Sequence, residues 1–164
     1  MPRAWIRGLA TYFVASAASA QIGVPGDSRT VIGGGDEYLS AAADAIRAGQ
    51  YDDGIRLSAM GLDRQQSERD RAAALSNLCA AHAAKGEPDK AIKYCNESLE
   101  LSEYNWRAYV NRSFAYFLKA QYVEASKDLD AAETLNPTAR QVQQLRGMIN
   151  ERRLLPSVIV EEHQ

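Results

Sequence analysis

Two cysteines, Cys79 and Cys95, and two histidines, His82 and His163, are the residues of this 164-residue chain best suited to ligation or redox chemistry. Cys79 and His82 lie three apart, so on a helix they share a face. With Cys95 they make three soft ligands, enough to hold zinc with one open position. Two plainer readings compete with that one: a disulfide, or two small thiols buried in a core. His163 has no partner near it in the sequence. The carboxylates Glu97, Glu100 and Glu103 read as a solvated helix face, and Asp128 and Asp130 fall on different faces of one helix. No P-loop and no His-Glu-x-x-His pattern is present, nor a Gly-x-Ser-x-Gly elbow. The Gly33-Gly34-Gly35 run follows Val31-Ile32 but lacks the rest of a phosphate cradle. No catalytic residue, bound metal or cofactor is therefore expected.

Composition narrows the class. Apolar residues make up 46% and charged residues 24%, within the range of folded soluble domains. A net charge of −2 gives no basic field for nucleic acid. Residues 1–20, MPRAWIRGLATYFVASAASA, begin with Arg3 and Arg7, continue through an apolar run from Leu9 to Ala18, and end on small residues. This pattern predicts a cleavable signal peptide cut between Ala20 and Gln21, and a periplasmic or secreted protein. The apolar run is about half the length of a membrane span, so no span is expected. An oxidising compartment favours a bridge between the cysteines.

Residues 21–35, QIGVPGDSRTVIGGG, hold five glycines and one proline and read as a flexible leader. From Asp36 to Leu155 the texture changes. Val, Ile and Thr together number nine in that stretch, while alanine, the strongest helix former, is abundant. Apolar residues recur three and four apart. Ser67 with Asp70 forms a variant capping box, and Pro88 and Pro137 are placed at helix starts. Three segments look like one helix–turn–helix joint: GQYDDGI (49–55), GEPDKAI (86–92) and AQYVEAS (120–126). The first two are 37 residues apart and the last two 34.

A 34-residue period with this joint resembles the tetratricopeptide repeat family. In residues 72–105, Leu75, Leu78, Cys79, His82, Ala91, Cys95 and Ser98 stand at the positions that define its units. In residues 106–139, Tyr109, Ser113, Tyr116, Ala125, Leu129, Ala132 and Pro137 do so more closely. Residues 35–68 are degenerate, with Gly54 and Gly61 in place of two alanines and three extra residues before the next unit. The resemblance implies an all-α, right-handed α-solenoid of about three helical hairpins plus a capping helix at 139–155, closed by Leu154 and Leu155, with a tail at 156–164. In a hairpin turning near Gly86, Cys79 and Cys95 are equidistant from the turn and face each other, which favours the disulfide over a metal or thiol site with His82.

The same resemblance implies that the first helices of the units line a concave groove. The candidate groove residues are Leu39, Asn77, Arg107, Val110, Asn111, Phe114 and Leu118. Asn77 and Asn111 lie one period apart and can each donate to and accept from the backbone of an extended peptide. Phe114 and Val110 offer an apolar anchor beside Arg107. Some relatives hold the acidic tail of heat-shock chaperones with a five-residue carboxylate clamp. Asn77 and Arg107 suit its slots, but Leu39, Ala43 and Asn111 do not, so that function is not expected. The expected function is a non-enzymatic adaptor binding a peptide segment or partner protein. The alternative is a self-associating structural module whose groove is filled by its own leader, its tail or another copy.

Overall fold

Helix pairs recur along the chain because each joint imposes the same backbone. In a computed structural model, residues 32, 36–64 and 67–154 are described. They form seven α-helices and no strand: α1 (Glu37–Arg47), α2 (Tyr51–Asp63), α3 (Glu68–Ala84), α4 (Pro88–Leu101), α5 (Trp106–Leu118), α6 (Tyr122–Leu135) and α7 (Arg140–Leu154). The expected signal peptide, most of the leader, Leu155 and the tail lie outside the described residues.

Each first helix ends on a residue with positive φ, Gly49 (78°), Gly86 (76°) or Ala120 (57°). The next residue, Gln50, Glu87 or Gln121, returns its N–H to the carbonyl of Ala45, His82 or Tyr116. These are the bonds that close a helix before a left-handed residue. The second helix then starts at once, three times over. The 37-residue first interval is explained by helix lengths. α3 has 17 residues against 13 in α5, and α2 has 13 against 14 in α4. The extra residues form an added N-terminal turn of α3, capped as the sequence predicts by Ser67 Oγ, which accepts from Asp70 N at 3.2 Å. Pro88 opens α4. Pro137 does not open α7; it follows the C-cap Asn136 of α6, where proline commonly stops a helix.

Small residues set the helix crossings. Ala42, Cys79 and Ser113 on the first helices are fully buried, as are Ala91, Ser98, Ala125 and Ala132 on the second. Gly54 and Gly61 stand in register with Ala91 and Ser98. Two of these slots add hydrogen bonds: Ser98 Oγ donates to Ala72 O at 2.8 Å, and Ser113 Oγ to Ala125 O at 2.7 Å. Neighbouring hairpins are joined by a repeated ion pair, Lys85–Asp52 and then Lys119–Asp89. The last two hairpins are also clamped by Arg112, which donates to both oxygens of Asp128 at 2.8 and 2.7 Å and to Asn96 Oδ1 at 2.7 Å. Val142, Leu145 and Ile149 of α7 join the buried cluster of α5 and α6 and cap the array.

Gly54 fits where alanine would not, and at Gly61 alanine would crowd its neighbour. A Cβ on Gly54 would sit 2.4 Å from Ile46 Cγ1, and one on Gly61 would sit 3.0 Å from Leu39 Cδ2. The unit read as degenerate is thus matched to larger residues on its own first helix. Gly54→Ala should therefore destabilise the protein by about 1–3 kcal/mol through overpacking, against a helix-propensity gain of about 1 kcal/mol. Gly147→Ala in α7, where an added Cβ meets nothing within 4 Å, should show that gain alone. Urea unfolding of the two variants checks both signs.

Candidate functional site

α3 is the element on which the site is built. It packs against α1, α2, α4 and α5, and every residue from Ala72 to Ala83 is buried. Asn77 lies midway along it with 0% exposure. A carboxamide so enclosed needs partners for its oxygen and its NH₂, and both are found on one residue. Ile32 N donates to Asn77 Oδ1 at 2.7 Å, and Asn77 Nδ2 donates to Ile32 O at 2.9 Å. Both peptide groups of Ile32 must face the same side for this, the arrangement that a hydrogen-bonded pair has in an antiparallel ladder. The side chain here takes the place of a strand. Ile32 also packs on the apolar cluster of Leu39, Ala73 and Ala74. Within the leader, read from sequence as flexible, Ile32 is thus held on the site.

The other groove candidates divide by burial. Asn111 is 1% exposed and, like Arg107, is engaged in contacts within the chain. Leu39 and Val110 are fully enclosed, and Phe114 is 6% exposed within the cluster that contains Val142, Leu145 and Ile149 of α7. These three side chains are packing residues, with Leu39 in the cluster on which Ile32 rests. The anchor expected of Val110 and Phe114 is therefore turned into the array, where the capping helix covers it. Leu118 is 41% exposed. Arg107 lays its guanidinium 4.5 Å from the Trp106 ring centroid, and partial burial lowers its pKa. A cleft of about 710 Å³ opens beside Ile32, bounded by the first turn of α3, by Leu101 and Ser102, and by Asn105 and Arg107. Sequence reasoning passed over Ile32, although an aliphatic pair just ahead of three glycines was a visible signal.

The cysteines form a disulfide, Cys79–Cys95, with Cα atoms 5.2 Å apart. The bridge ties α3 to α4 at the small-residue crossing and commits both sulfurs to each other. His82 is turned elsewhere: its Nδ1 lies 2.7 Å from Glu87 Oε2, and its ring stacks on Tyr94 with centroids 5.3 Å apart. It is a core histidine tied to the hairpin turn. The bond to His82, followed by that to Lys90, holds the Glu87 carboxyl down to about 2 from 4.5.

Comparison with known proteins agrees with this architecture. Residues 72–105, which hold most of α3 and all of α4, match the tetratricopeptide repeat family. DnaJ homolog subfamily C member 3 of rat is 27% identical over 121 residues, covering 73% of this chain and 24% of the relative. The human protein of that name is 25% identical over the same shares. The chain thus spans about a quarter of the length of these relatives. Among solved structures, the TPR2B domain of yeast Sti1, in complex with pHsp70, superposes with a TM-score of 0.63 at 24% identity, covering 71% of this chain and 96% of that one. The P58(IPK) TPR domain gives 0.64 at 23% identity, covering 70% and 32%. The first TPR domain of human RPAP3 gives 0.62 at 20%, covering 77% and 92%.

Two predictions follow from the geometry around α3 and α4. Replacing Cys95 by serine, or reducing the bridge, should lower stability by about 3 kcal/mol in the chain-entropy account, given the 16-residue separation; chemical unfolding with and without reductant measures it. Glu87 is ionised more readily in the folded chain than in the unfolded one, so its contribution is complete above pH 4.5 and is lost as pH falls toward about 2. The stability difference between wild type and Glu87→Gln, present at neutral pH, should shrink across that window.

With the repeated joints, the matched unit and the shared superposition in hand, residues 72–105 are a tetratricopeptide repeat unit, and the described helices form an all-α solenoid of such hairpins.

Proposed function

We propose that this protein is a non-enzymatic adaptor that holds an extended segment of a partner protein on its concave face. The reading rests on one observation: Asn77 grips the N–H and the C=O of a single residue, Ile32. A side chain that satisfies both groups of one peptide residue recognises extended backbone regardless of sequence. The cleft of about 710 Å³ beside Ile32 has room for further residues. The TPR2B domain of Sti1 is in complex with pHsp70, and the second TPR domain of human RPAP3, a further similar structure, with an HSP70 peptide, so the scaffold is one on which peptides are held. The acidic-tail clamp is a poor fit here, because Leu39 and Ala43 are apolar and fully buried. Architecture alone does not choose the ligand.

We place this adaptor in the periplasm or outside the cell. The charge and apolar pattern of residues 1–20 and the Cys79–Cys95 bridge both suit an oxidising destination.

Co-purification from the native host tests the function. Partner recovery should fall about tenfold or more with Asn77→Ala, a loss in line with removing two buried hydrogen bonds, while circular dichroism shows the helices intact. Equal recovery from a folded Asn77→Ala protein would remove the concave face from the account.

A further inference from the structure

The contact that supports the adaptor reading is made by the chain itself. We infer that Ile32 is a built-in competitor for the Asn77 site, and that the partner displacing it is an extended segment with a branched aliphatic side chain at the bonded residue. This inference rests on the peptide-site reading above and adds a ligand class to it.

Three features point the same way. The bonds to Ile32 N and O select a residue with a free N–H, which excludes proline at that place. Beneath it lie Leu39, Ala73 and Ala74, an apolar floor whose alanines leave room for a β-branched side chain. A charged side chain there would forfeit the contact that Ile32 makes with this floor. Ile32 is joined to the α1 cap Asp36 by three residues, all glycine. So short a tether keeps Ile32 at about millimolar effective concentration beside its site. Asp36 itself is fixed, its carboxylate accepting from Tyr38 N and Leu39 N. The tether therefore starts from a rigid point on the same helix that supplies Leu39 to the floor. Ile32 also lines the open cleft with Ser67, Ala73, Leu101, Asn105 and Arg107, so a segment that replaces it can continue into that space.

The test uses the full chain and a labelled peptide of residues 27–35, DSRTVIGGG, added in trans. The wild-type protein should bind the peptide about tenfold more weakly than the Ile32→Asp protein does, the reduction expected of a site self-occupied about nine-tenths of the time. The same peptide with aspartate at the isoleucine position should not bind, and Asn77→Ala in the Ile32→Asp background should abolish binding. Equal affinity of wild type and Ile32→Asp, or equal binding of the two peptides, would overturn the inference. Ile32 lies outside the helices, so its substitution leaves the array to fold. Asn77-dependent partner capture without any gain from Ile32→Asp would keep the adaptor and overturn self-competition. A gain from Ile32→Asp without Asn77-dependent capture would uphold self-competition and overturn the adaptor.

Discussion

Close helix crossing is the constraint from which the rest of this structure follows. At each crossing the first helix offers Ala42, Cys79 or Ser113, and the second offers Gly54, Ala91 or Ala125 and then Gly61, Ser98 or Ala132. Only small side chains let two helices approach there, and a hairpin packed that way still has an apolar face uncovered. The next hairpin covers it, and α7 covers the last with Val142, Leu145 and Ile149. Size limits act in both directions. The first hairpin sets glycine opposite the bulky Ile46 and Leu39, where a Cβ would press on each of them.

Stacking of this kind decides what α3 can display. It packs against four other helices, so its polar side chains beyond the first turn, Ser76, Asn77 and His82, are enclosed. Asn77 finds a backbone, and His82 finds Glu87. The disulfide lies on the same helix, two residues beyond Asn77, and fixes α3 to α4 where the site needs rigidity. A site on a braced helix reads backbone geometry more sharply than one on a mobile loop. The bridge thus braces the helix that carries Asn77, the residue on which the proposed recognition surface depends.

Much of this was legible in the amino-acid sequence, for definite reasons. The three joints stood out because a left-handed residue followed by a helix start restricts residue choice strongly at Gly49 and Gly86. The facing of Cys79 and Cys95 followed from counting outward from one turn. Less visible were features that depend on residues distant in sequence. Gly54 looked like decay until Ile46 was seen against it. Val110 and Phe114 had the spacing of groove residues, but the cluster with α7 encloses them. Pro137 fitted a helix start by spacing alone, whereas the end of α6 claims it. Ile32 lies 45 residues from Asn77, and no local pattern connects a leader to a helix that far along the chain.

Amide hydrogen exchange at Ile32 is the most direct measure of whether the concave face grips backbone. If Asn77 holds it as described, the Ile32 N–H exchanges much more slowly than an open chain would, and Asn77→Ala releases it while the amides of α4 and α6 stay protected. An Ile32 amide exchanging at the open-chain rate in the wild-type protein would contradict the account.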